Sequence, residues 1–317
     1  MKYKGILLLI ILAGLASCSK SKTVLELAHA TQTLEILDIN DSLFFSHVTD
    51  IEIYKENIYI VDQKIGRIVK SNLALDEASV ILETGDGPNE ISGLLNVAIH
   101  NDLIYCLEFN KSIKIYDLEG NFIRELDHGA GIFSDFDVTD DFIWICGPLI
   151  WDSPITKVPL KEGLNFDYFG LRMNDRKRDG RHILKYGKNT VDVSLQLRPF
   201  INYYNEGDSL LQSLDLSELD VYKYSKVHMD NNEGLTLVWD ATIKGQKLYM
   251  LLAYRNIDDQ KKWEKILVSD IKDNSIIPSK LIQLKEKGFY VSFEVFQNTD
   301  QMILFDALSG SLDVYDY

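Results

Sequence analysis

Short apolar runs separated by polar turns dominate this chain. They are clearest between residues 82 and 126, where the segments 94–99, 103–109, 113–116 and 122–126 are each four to seven residues long and rich in Ile, Leu, Val, Tyr and Phe. Runs of that length and composition are strands, not helices. The joints are His100-Asn101-Asp102, Asn110-Lys111-Ser112 and Glu119-Gly120-Asn121, residue types that accept the backbone of a tight hairpin turn. Four antiparallel strands in roughly 40 residues predict one blade of a β-propeller.

The blade recurs. Its second strand, an apolar run after a polar turn, reads as 56–62, 101–107, 139–145, 206–211, 245–250 and 299–304. The spacings are 46 residues from Tyr59 to Tyr105 and 39 from Tyr105 to Trp144; only the 67 residues from Trp144 to Leu211 break the rhythm. A third-strand pattern repeats at 67–70, 113–117, 220–224 and 312–316. Six copies predict an all-β, six-bladed β-propeller of four-stranded antiparallel blades over residues 33–317. The chain stops just after a third strand, whereas 33–39 (TLEILDI) is a strand with no blade of its own. Pairing the two closes the ring and removes its edges.

The first residues carry an address. Lys2 and Lys4 precede a short apolar run, 6–12, which ends at Leu15-Ala16-Ser17-Cys18. This pattern resembles the lipobox of bacterial lipoproteins, in which the cysteine is acylated and becomes the mature N-terminus. The expected layout is a leader over 1–17, lipidation at Cys18, a tether over 18–32, and then the propeller. The residues after Cys18 read SKSK, without an acidic cluster, which favours the outer membrane facing the periplasm. The formal charge is −15, and −17 once Lys2 and Lys4 are removed, which argues against nucleic acid as a partner. A 46% hydrophobic composition provides a real core,. A monomer is expected, with Cys106 and Cys146 as buried free thiols.

The turn Gly85-Asp86-Gly87-Pro88-Asn89-Glu90, the segment 200–204 (FINYY) before 207–211 (GDSLL), and the lipobox together make the chain similar to six-bladed β-propeller lipoproteins of Bacteroidetes, related to NHL-repeat propellers. The resemblance implies the fold and an envelope location. It implies no particular reaction. Gly85, Gly87, Pro88 and Glu90 are its blade-connecting turn, with Asn89 in place of the family's third glycine.

Chemistry is sparse. None of the six histidines lies within four residues of another, and neither a zinc-protease nor a nucleophile-elbow motif is present,. Asp50, Asp135, Asp137 and Glu294 fall near predicted inner strands, where they could face the central channel. Asp137 and Glu294 are weak candidates for a channel Ca or Zn ion, as in lactonase-like or lyase-like propeller enzymes. No cofactor is expected on the main reading. One anomaly is the basic run Arg172, Arg176, Lys177, Arg178, Arg181, Lys185 and Lys188 against only Asp175 and Asp179. It reads as an insertion over about 171–190, a loop for an acidic glycan, an envelope protein or a lipid headgroup. The sequence thus predicts a lipid-anchored binding scaffold, with an enzyme or a structural envelope subunit as alternatives.

Overall fold

The computed structural model describes residues 25–36, 38–39, 43–87, 89–108, 112–127, 135–146, 153–161, 166–170, 180–194, 199–222, 236–253, 265–284 and 288–317. Among them the strands form a six-bladed β-propeller. Inner strands, in blade order, are Val48–Tyr54, Leu94–His100, Asp135–Val138, Arg181–Tyr186, Val238–Lys244 and Tyr290–Val295. Blades 1 to 5 each run inner to outer in chain order with antiparallel neighbours, so each is a meander of consecutive hairpins.

Alternation explains why these segments lie between blades. In the second strand of blade 1, Asn57–Asp62, Ile58 and Ile60 enter one apolar cluster while Tyr59 and Val61 enter the next. Both faces are covered, because each blade is packed on two sides. The second strand of blade 2, Leu103–Glu108, divides in the same way, with Ile104 and Cys106 on one side and Tyr105 and Leu107 on the other. Cys106 and Cys146 are fully buried and not joined in a disulfide, Cys106 between blades 1 and 2 and Cys146 between blades 3 and 4.

Ring closure is as the sequence implied. Residues Thr31–Ile36 pair antiparallel with Ser311–Asp316 and supply the outer strand of blade 6. A second contribution was not foreseen. Glu26–His29 pairs parallel with Ser275–Gln283 and makes blade 5 five-stranded. The expected tether over 18–32 is therefore corrected, since strand structure already begins at Glu26.

Blade 4 needs two corrections. Its second strand is Asn189–Ser194, not the segment near Leu211, which lies in the outer strand Leu210–Asp215. Its third strand is Phe200–Tyr204, whereas Asp220–Tyr222 is a 3₁₀ turn. The aromatic marker failed because its register position holds Val191. Replacing Trp144→Leu211 by Trp144→Val191 restores a spacing of 47 residues. The basic run is consequently no insertion beyond residue 180. Arg181–Tyr186 is the inner strand of blade 4, turning through Gly187 (φ 57°) into its second strand.

In the turn after blade 1, the Glu90 side chain occupies the space beside Gly85. A Cβ on Gly85 would lie 1.8 Å from Glu90 Oε2. That carboxylate instead folds back to accept a hydrogen bond from Gly87 N–H at 2.8 Å. Pro88 lies outside the described residues.

Deleting residues 312–317 should destabilise the whole ring, because the same pairing serves blade 6 and closure. Differential scanning calorimetry should show one transition lowered by at least about 5 °C, from the loss of several buried side chains. An unchanged midpoint would contradict closure.

Candidate functional site

The six inner strands present two stacked rings of side chains to the axis, aligned by their hairpin registers. The first ring is Asp50, Asn96, Asp135, His182, Asp240 and Ser292; the second is Glu52, Ala98, Asp137, Leu184, Thr242 and Glu294. In the first ring, aspartates on blades 1, 3 and 5 alternate with neutral or basic groups on blades 2, 4 and 6. All of these except Ser292 line a channel of about 180 Å³.

The first ring joins one blade to the next. Asp50 Oδ2 accepts from Val97 N–H at 3.1 Å, and Asn96 Nδ2 donates to Asp135 Oδ1 at 2.8 Å. Asp135 Oδ2 faces His182 Nδ1 at 3.0 Å and Ile183 N–H at 3.1 Å. On the other side of the imidazole, Nε2 lies 3.2 Å from the Trp239 carbonyl and 3.9 Å from Asp240 Oδ1. Asp240 Oδ2 accepts from Phe293 N–H at 2.9 Å and from Ser292 Oγ at 3.1 Å. Both ring nitrogens of His182 thus face oxygen atoms, an arrangement that suits imidazolium beside carboxylate,.

The titration behaviour follows from these contacts. Burial opposes charge on His182, but the Asp135 bond and the charges of Asp135 and Asp240 prevail and push it up to about 9. Burial raises Asp240 to about 7, with His182 pulling the other way, and raises Asp137 to about 6. Asp50 is held well above the carboxylate range by burial and by the Asp240 charge, and Glu52 by burial and by the Asp50 charge. Glu294 is raised by burial despite nearby Lys244.

Asp50, Asp135, Asp137 and Glu294 do line the channel, as their positions suggested. Asp137 Oδ2 accepts from Lys185 N–H at 2.7 Å, and Glu294 accepts from Thr242 Oγ1 at 3.0 and 3.1 Å and lies 3.4 Å from Lys244 Nζ. Among the described residues, no group of three or more His, Cys, Asp or Glu side chains is arranged to hold a metal ion.

The basic run divides. Arg172, Arg176, Lys177 and Arg178 lie outside the described residues. Arg181 is corrected from a loop cation to a core one: it is fully buried and paired with Asp192, which also accepts from Asn202 Nδ2 at 3.1 Å. Lys185 lies over the Trp144 ring, 3.7 Å from its centroid, and bonds Thr190 Oγ1 at 2.6 Å. Burial lowers it to about 8. Lys188 is exposed and pairs with Glu206 at 2.8 Å.

A larger concavity was not legible in the sequence. A cleft of about 750 Å³ lies between blades 5 and 6, within the size range of ligand sites,. Tyr249, Ile271 and Val295 are its buried floor, and the Tyr317 hydroxyl donates to Tyr249 Oη at 3.1 Å. Gln246, Lys247, Lys272, Gln297, Asn298 and Asp300 stand exposed around it. Its parts come from two hairpin turns, a strand and residue 317, so no local motif marks it.

The sign of the pH dependence is fixed by the raised carboxylates. At these groups the fold binds protons more tightly than the unfolded chain, so the stability they contribute is fully present below their unfolded range, near pH 4, and is lost as pH rises to about 7,. His182 continues the fall between about 6.5 and about 9,. Urea melts at pH 5, 6, 7 and 8 should show this decline. In Asp240→Asn the slope should be smaller by up to about 1.4 kcal/mol per pH unit; an unchanged slope would remove Asp240 from the account.

No family model and no curated relative matches the chain. Solved structures do match in shape. A member of the DUF4221 family from Bacteroides vulgatus aligns at 12% identity and TM-score 0.58, over 90% of this chain and 97% of that one. A Bacteroides fragilis protein whose name marks it as exported aligns at 14% identity and TM-score 0.55, over 92% and 98%. Hydrazine synthase of Kuenenia stuttgartiensis aligns at 8% identity and TM-score 0.56, over 92% and 77%. At such identities these likenesses establish the fold alone.

Proposed function

We propose that this chain is a cell-envelope binding propeller, held to the outer membrane through acylated Cys18 and facing the periplasm, with its ligand site in the cleft between blades 5 and 6. The observation that carries the reading is the contrast between its two concavities. In the channel's first ring, side chains of blades 1 to 5 reach the next blade through hydrogen bonds or, at His182, a paired charge. The cleft presents exposed amides, Lys247, Lys272 and Asp300 over a floor containing Tyr249, without an internal ion pair at either lysine among the described residues. An aromatic floor with a few outward polar groups suits ligand capture. The name of the Bacteroides fragilis neighbour supports an extracytoplasmic setting.

The alternative, a lactonase-like or lyase-like enzyme using a channel metal, draws on the raised carboxylates beside the channel,. Metal analysis of the purified protein separates the two. Stoichiometric Ca or Zn lost in Asp137→Asn or Glu294→Gln would favour the enzyme.

Two tests address the binding reading. Cys18→Ala should leave the protein released from the envelope membranes or uncleaved, and unlabelled by radioactive palmitate. Lys247→Glu combined with Lys272→Glu should change stability by no more than about 0.5 kcal/mol per site, because both side chains are exposed,. The double variant should lose the partners that the native protein captures from envelope extracts. Identical partner sets would remove the cleft from consideration.

A further inference from the structure

The apolar seam between blades 6 and 1 opens at one end into a pocket of about 390 Å³, a volume that suits a small molecule. Its floor is the end of the core cluster itself: Ile53, Leu75 and Val314 are buried there, with Phe296 packed against that cluster. Two further aliphatic side chains line it, Leu34 at 43% and Leu73 at 37% exposure. Scattered singly, exposed leucines need no explanation. These two share one concavity whose base is also apolar.

The chain of blade 1 is bent to build that floor. Leu75 has φ 58°, in the left-handed region where a turn ordinarily carries Gly or Asn,. Asn72 holds it there. The Asn72 carbonyl accepts from Leu75 N–H at 3.1 Å, and its Oδ1 accepts from Asp76 N–H at 3.2 Å. Glycine would suit this backbone better, but only a side chain at 75 covers the core from the pocket side. The walls come from both sides of the ring closure: Leu34 from the closing strand, Val314 and Phe296 from blade 6, Ile53 and Leu73 from blade 1. The pocket is complete only when the ring is closed.

At the mouth stand the exposed amides of Gln297 and Asn298, beside Lys55 and Glu56. The two adjacent charges offset each other, and Lys55 is also paired with Asp102, so the rim favours neither an anionic nor a cationic group. The amides can both donate to and accept from a hydroxyl or another amide.

We propose that this pocket is a second binding site, for a small molecule with an aliphatic body and an uncharged hydrogen-bonding end. The body lies over Ile53, Leu75 and Val314, between Leu34 and Leu73, and the polar end meets Gln297 and Asn298. The site does not depend on the reading of the cleft between blades 5 and 6, although the segment 296–299 borders both. Its occupant binds the closed ring and not the unfolded chain, and so holds the ring shut.

The probe is octan-1-ol, titrated by calorimetry into the full chain carrying Cys18→Ala, so that no acyl group competes for it. One site per chain is expected, with the negative heat-capacity change of apolar burial. At about ten times its dissociation constant, octanol should raise the folded-to-unfolded ratio about elevenfold and the melting midpoint by about 2–4 °C. Octanoate should bind at least about tenfold more weakly, since its carboxylate is desolvated without a free counter-charge. Leu34→Asp with Leu73→Asp should abolish binding yet, at exposed positions, leave the midpoint without octanol within about 2 °C. Ala74→Trp, on the exposed hairpin turn, should block the pocket without touching its floor. Lys247→Glu with Lys272→Glu should bind octanol as before, whatever it does to the cleft. Octanol that fails to saturate, or saturates equally in both pocket variants, overturns the proposal. Octanoate binding as tightly as octanol overturns the ligand class. A dimer that forms without octanol binding, and is lost in Leu34→Asp with Leu73→Asp, overturns the site in favour of an interface between two copies.

Discussion

A propeller of this kind depends on one pairing made across the whole length of the chain. Blade 6 supplies only three strands from its own sequence, so its free edge must be met by Thr31–Ile36. Until that happens, Ser311–Asp316 is an open edge and the interface between blades 6 and 1 is incomplete. Ile51, Ile53, Ile58 and Ile60 of blade 1 pack in one cluster with Ile303, Phe305, Leu312 and Val314 of blade 6. The ladder and the cluster reinforce each other, since the strand that fills the edge also fixes blade 6 against blade 1. Loop-closure entropy for such a distant contact is a slowly growing logarithmic cost, and the burial of several aliphatic side chains at about 1.5–3 kcal/mol each offsets it.

The channel shows how polar groups can serve the same closure. In blades 1 to 5 the first ring reaches its neighbour by a side-chain hydrogen bond or by a charged pair, so the inner strands are coupled in sequence around the axis. Between blades 6 and 1 the contact is apolar, and Glu52 has no hydrogen-bond partner among the described residues. The charges of Asp50 and Glu294 act on Glu52 there. Glu52 is thus raised by burial first and by these charges second, while the Asp50 carboxylate bonds toward blade 2 and that of Glu294 toward blade 5. Protonation spares these groups the cost of burying charge, and for Asp50 and Glu52 also relieves repulsion, which is why stability and acidity are linked with the sign derived above,.

Much of this was legible because a blade is a local object. Hairpin turns such as Asn101-Asp102, with φ of 49° and 61°, and Gly120, with φ of 85°, announce themselves through residue type, and short apolar runs announce strands. Blade 4 was missed for a physical reason. Its second strand carries Val191 where blades 1, 2, 3 and 5 carry an aromatic ring, so the marker gave no signal. A better signal was present in Tyr186-Gly187-Lys188-Asn189, a turn between two alternating runs. Arg181 was misread because charge counted along a chain ignores pairing across a hairpin: Asp192, two rungs away in the register, neutralises it inside the protein. The cleft and the other members of the first ring, His182 and Asp240 among them, were illegible for a related reason, since each is assembled from separate blades.

On the proposed lipid-anchored reading, the two N-terminal strands would also divide the mechanical load. Tension from an acylated Cys18 would reach Leu25 and the parallel pairing of Glu26–His29 before it reached the closing strand. Leu25 is packed in the cluster between blades 4 and 5, and Ala30 N–H donates to the Gln283 carbonyl at 2.9 Å immediately before the closing strand starts. Any pull is thus taken up on blade 5, whose four other strands are continuous in sequence and whose integrity does not require closure. The closing strand beyond Ala30 is relieved of it. A single strand that both anchored and closed the ring would couple membrane attachment to global stability; with the proposed anchor, the additional strand on blade 5 would separate the two.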